Sequence, residues 1–86
     1  MTIWLSESAK QELKSFSNDN KNNVAEAVAL LSDDSYREKN QIDLCLIENG
    51  CKMWALVAGR VWLAFHEDTN GDICVDWVSL RSRFRP

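Results

Sequence analysis

Three arginines at alternate positions, Arg81, Arg83 and Arg85, stand at the end of the 86-residue sequence, with Ser82 and Phe84 between them. Residues two apart in an extended segment share a face, so a continued strand points all three guanidinium groups the same way. Planar guanidinium forks bind two oxygens at once, which makes such a row a candidate phosphate contact. The same cations equally suit a solvated edge that must not pair with another chain. Arg60, beside Gly59, is a further cation near this part of the chain, and also an ordinary turn residue. His66 is the only histidine. It is a candidate general base, if a substrate and a partner group come within hydrogen-bond reach, or else a polar residue where a strand meets a turn. Trp62 lies on the same side of its run as His66 and is a candidate anchor for a peptide or a nucleobase.

These residues must be positioned by the last third of the chain. The apolar runs Met53–Val57 and Val61–Phe65 are separated only by Ala58-Gly59-Arg60, and Ile73–Val78 follows the turn segment Glu67–Asp72. Alternation puts Val61, Leu63 and Phe65 on one face of their strand and Trp62, Ala64 and His66 on the other. Ile42–Ile47 reads as another strand, and Asn49-Gly50 is a strong hairpin signal. Upstream, Thr2–Leu5 is a short extended candidate. Ser6 or Ser8 can cap a helix that carries Ala9, Leu13 and Phe16 on one stripe, with Lys10, Gln11 and Lys14 outside. Asn18-Asp19-Asn20 interrupts it, and Val24, Val28 and Leu31, with Ala25 and Ala27, repeat the stripe until Ser32–Ser35 closes the hairpin. This order predicts an α+β fold over residues 1–86 as a single domain. A short N-terminal strand and an antiparallel helical hairpin pack on one face of a mainly antiparallel β-sheet. The other face is expected to be open to partners.

Composition bounds the function. A chain this short buries roughly 60–65% of its unfolded surface and has no room for separate cofactor and substrate domains. The net charge is −3, with five Lys/Arg against nine Asp/Glu in residues 1–50 and five against four in residues 51–86. Any polyanion contact is therefore local rather than general. No run approaches the roughly 20 apolar residues of a membrane span, and no secretory signal is expected from Met1-Thr2-Ile3-Trp4. Cys45, Cys51 and Cys74 form no C-x-x-C pair and have one histidine to help, so reduced thiols in a cytoplasmic protein are expected, with no metal and no cofactor. Acidic pairs such as Asp33-Asp34 and Glu67-Asp68 read as solvated turns.

The segment Met53–Phe65, a strand, a glycine-bearing turn and a strand ending in an aromatic residue, resembles the hairpin of the RelE/ParE toxin superfamily. The element order and the basic segment Arg81-Ser82-Arg83-Phe84-Arg85 extend the resemblance over nearly the whole chain. It implies a toxin of a bacterial toxin–antitoxin pair whose partner is a cognate antitoxin peptide or protein. RelE-type members cleave mRNA on the ribosome, and ParE-type members inhibit DNA gyrase. In a ribosome-dependent endoribonuclease, Arg81, Arg83 and Arg60 would stabilise phosphate charge and His66 would transfer the proton. In a non-catalytic binding module, Trp62, Phe84 and Arg85 would hold the partner. Trp62 occupies the strand position where the RelE pattern has arginine, and Phe84 lies near where that pattern has tyrosine.

Overall fold

A computed structural model describes residues 2–80; the candidate residues Arg81, Arg83, Phe84 and Arg85 lie outside them. The predicted α+β architecture is present. Strand β1 (Ile3–Leu5) leads into helices α1 (Glu7–Lys14), α2 (Asn18–Leu31) and α3 (Asp34–Asn40). Strands β2 (Ile42–Glu48), β3 (Cys51–Ala58), β4 (Val61–Glu67) and β5 (Ile73–Leu80) follow. The sheet order is β1-β5-β4-β3-β2. All neighbours are antiparallel except β1, which runs parallel to β5 at one edge, with Ile3 opposite Ile73.

Local chemistry sets the boundaries. Ser6 caps α1 by accepting from the Ala9 N–H, and Ser17 caps α2 by accepting from the Asn20 N–H, each satisfying a first-turn donor left without an intrahelical partner. The cap of α2 is thus Ser17, one residue ahead of the asparagine-rich triplet, which forms the first helical turn. Asn49 and Gly50 both adopt positive φ, 52° and 79°, as a two-residue hairpin turn that matches strand twist requires.

One element goes beyond the expected helical hairpin: residues 34–40 are helical. Their pattern has no apolar stripe, so periodicity gives no signal. Asp33 caps the segment, Asp34 sits in its first turn and Arg37 and Lys39 in its last, an arrangement that complements the helix dipole.

The core lies between the helices and one sheet face. Ala9, Phe16, Val24, Ala27 and Leu31 meet Leu56, Ala58, Val61, Leu63, Phe65, Ile73, Val75 and Val78. The period-2 assignment in β4 is correct, since Val61, Leu63 and Phe65 are all in this cluster. The expectation of an open second face needs correction. Met53, Ala55, Ala64 and Cys74 alternate to that side, yet none exceeds 2% exposure. Register explains part of this: Ala55 is opposite Ala64, Ala64 is opposite Trp77, and Trp62 lies between Val57 and Ser79. Short alanine methyls sit below the envelope of larger cross-strand neighbours. Among the described residues, the large exposed apolar side chains are instead Trp4 on β1 and Ile42, Leu46 and Ile47 on β2, the two edge strands.

No helix among the described residues is long and apolar enough to cross a membrane.

Candidate functional site

The chemistry-bearing cluster on the second face is built by the β4–β5 ladder. His66 is the direct register partner of Cys74, and the hairpin closes one pair later at Glu67 and Ile73. Between Ala64, opposite Trp77, and Phe65, opposite Val75, the register shifts. Asp76 is the extra residue of this β-bulge. Bulges re-aim side chains, and here the core positions of β5 move from Ile73 and Val75 to Val78 and Leu80. Asp76 is left on the second face beside His66 and Cys74.

There its carboxylate is shared. Asp76 Oδ2 lies 2.7 Å from His66 Nδ1, and the Cys74 thiol donates to Oδ1 at 3.6 Å. A carboxylate at Nδ1 makes that nitrogen the donor of the neutral ring, leaving the Nε2 lone pair directed away as an acceptor. The Asp76 backbone is braced from α1: Ser6 Oγ donates to the Asp76 carbonyl at 2.8 Å, and Ser6 N–H donates to the Val75 carbonyl at 2.9 Å. The hydroxyl that caps α1 therefore also fixes the bulge. The His66 and Asp76 side chains keep about a fifth of their surface, 21% and 20%, while Cys74 is buried.

Burial pushes the Cys74 thiol up to about 12, with further upward contributions from the Asp76 and Asp68 carboxylates. A thiol held neutral is a poor nucleophile. In the folded protein, Cys45 and Cys51, which are exposed and half-exposed, are expected to react with a disulfide reagent at pH 8. Cys74 is expected to react only after denaturant is added. Rapid titration of all three thiols without denaturant would show that Cys74 is open to solvent.

Asp76 was not among the residues singled out from the sequence. Its signal was a lone carboxylate inside the apolar run Ile73–Val78, one hairpin away from the only histidine. In the connecting loop Asp68 acts as a turn former: its Oδ1 accepts from the Asn70 and Asp72 N–H groups at 2.9 and 3.0 Å.

The remaining candidates disperse. Trp62 is half-buried on the second face, two positions from Ala64 and four from His66 along β4. Arg60 is exposed in the β3–β4 turn. It stands six residues from His66, about 20 Å along a strand rising about 3.3 Å per residue. Leu80, opposite Val61, brings the described end of β5 to the Arg60 end of the sheet. The fold thus separates His66 from Arg60.

A second feature lies on the helical side. Leu5, Leu13, Val24, Ala25 and Val28 line a groove of about 510 Å³ between α1 and α2, and Lys10, Lys14 and Lys21 rim it. The stripe that buries Val24 and Ala27 leaves Ala25 exposed and Val28 half-exposed, so part of the apolar face read as core is groove wall. Lys10 also pairs with Glu7 at 3.5 Å on the helix surface. Three of the five cations in residues 1–50 meet here, in a chain of net charge −3.

Comparison with protein-family models, with curated proteins and with solved structures gives no match.

Proposed function

We propose that the chain is a toxin-like component of a bacterial toxin–antitoxin pair that works as a binding module, with the lysine-rimmed groove between α1 and α2 as the seat of an acidic antitoxin segment. The groove carries this reading. Its floor offers apolar burial to one face of an amphipathic helix, and Lys10, Lys14 and Lys21 oppose carboxylates on its flanks, which is how helix-in-groove recognition obtains affinity and register. The hairpin resemblance and the strand, helical hairpin and antiparallel sheet in sequence order support the toxin-like part of the reading. Separation of His66 from Arg60 by about 20 Å speaks against a catalytic site that joins them.

A second reading rests on the His66–Asp76 pair. A carboxylate-oriented imidazole with a free Nε2 can accept a proton from a 2′-hydroxyl attacking its adjacent phosphate, the first step of RNA cleavage by a ribosome-dependent endoribonuclease.

The test is induced expression in a bacterium, following growth and mapping the ends of a translated mRNA. The binding-module reading expects arrest with intact mRNA, relieved by the acidic product of the neighbouring reading frame. Reversing the charge at Lys10, Lys14 and Lys21 should abolish that relief. New codon-positioned mRNA ends, lost in His66→Gln, would replace it with the nuclease reading. Gyrase activity measured in the same cells separates a ParE-like target from others.

A further inference from the structure

The donor atoms of His66, Cys74 and Asp76 all lie within 4.8 Å of one another, and we propose that these three residues form a binding site for a zinc-class divalent cation. The inference stands apart from the toxin-like reading, because it concerns the second sheet face rather than the helical groove.

Imidazole, thiolate and carboxylate are the three donor types that zinc takes. With metal–ligand bonds of about 2.0–2.3 Å in tetrahedral geometry, neighbouring donors stand roughly 3.3–3.6 Å apart. The Cys74 Sγ to Asp76 Oδ1 separation of 3.6 Å already meets that spacing. His66 Nδ1 lies 2.7 Å from the other carboxylate oxygen, Oδ2, a separation that opens by roughly 0.6–0.9 Å as the carboxylate turns to present one oxygen to the cation in place of the shared proton. Small side-chain rotations supply such a movement. The backbone stays fixed, because His66 and Cys74 are paired in the ladder and Ser6 braces Asp76. Outer contacts of this kind orient ligands and raise metal affinity.

Burial and charge agree. Cys74 is 2% exposed and forms the dry floor. His66 and Asp76 retain an accessible edge for entry and for a fourth ligand from solvent. Three protein ligands with one open position is the arrangement of reactive rather than closed zinc sites. Binding forms the metal–sulfur bond and sends the thiol proton to solvent, and the neutral imidazole keeps its proton by moving it to Nε2. Metal occupancy therefore removes the imidazole as a proton acceptor.

The test is a Co²⁺ titration of the reduced, metal-free full chain at neutral pH. One equivalent should produce thiolate-to-cobalt charge transfer in the near ultraviolet together with intense visible bands, and Zn²⁺ should abolish both. Cys74→Ser should lose the charge-transfer band, while Cys45→Ser/Cys51→Ser should keep it. His66→Gln changes a side chain with an accessible edge, so it reports even if Cys74→Ser fails to fold; it should weaken cobalt binding at least tenfold. No charge-transfer band with cobalt in large excess overturns the proposal. A band that survives Cys74→Ser, or a His66→Gln protein with unchanged affinity, overturns it as well.

Discussion

Replacing Phe65 with alanine is expected to cost about 3–5 kcal/mol of stability, the range for removing a fully buried aromatic side chain and leaving a cavity. Phe65 is 1% exposed and lies in the main core cluster. Its ladder partners are Trp54 on one side and Val75 on the other, so its ring sits in the middle of the helix-facing sheet surface. Cross-strand aromatic neighbours contribute beyond area alone, and Trp54 is held in turn by the Lys52 ammonium 4.7 Å from its ring centroid. A domain of this size has a stability of only about 4–13 kcal/mol, so the substitution removes a large share of it. Urea denaturation checks this: the midpoint should fall steeply with little change in slope, and Phe65→Leu should lose much less. A loss under about 1 kcal/mol for Phe65→Ala would mean that the core collapses around the gap far better than its packing implies.

The second large effect is expected at Arg37, the one charged side chain in the buried class among the described residues, at 8% exposure. Its Nη1 donates to the Leu31 carbonyl at 2.9 Å, a group near the end of α2 that lacks an intrahelical donor. The same nitrogen lies 2.9 Å from Asp34 Oδ1. Arg37→Ala should cost about 2–3 kcal/mol, because it removes a charged hydrogen bond to a backbone acceptor and the packed stem of the side chain together. Asp34→Asn, by contrast, changes a carboxylate that is 69% exposed and should cost well under about 1 kcal/mol. Equal losses for the two variants, in the same denaturation experiment, would locate the stabilisation in the ion pair rather than in the cap.

Legibility in the sequence followed the strength of the local signal. The runs Met53–Val57 and Val61–Phe65 announced β3 and β4 because apolar alternation and a glycine turn act over a few residues. Val61, Leu63 and Phe65 were correctly placed on the core side for the same reason. Helix α3 was invisible to periodicity, since its order depends on the Asp33 cap and on Arg37 reaching back to α2. The bulge at Asp76 breaks the period-2 rule on which face assignment rests, and it becomes apparent only when β5 is laid against β4. The candidate site was legible as His66 without its partners. Lys10 and Lys14 read as a solvated helix face, and only the placement of α1 and α2 on the sheet brings Lys21 to the same groove. Burial of Ala55 and Ala64 depends on neighbours from other strands, which composition cannot reveal.

The pairing of β1 with β5 has a temporal consequence. Ser6 and Asp76, joined by a hydrogen bond, are 70 residues apart in the chain. Closing so long a loop carries an entropic cost that must be met before its contacts stabilise anything. During synthesis the helices and the β2–β4 meander can form as they emerge, but the edge pair cannot zip until residues 73–80 are free of the ribosome. The bulge that orients Asp76 is completed in that same event. On the second face, His66, Cys74 and Asp76 therefore come together only once β5 has left the ribosome.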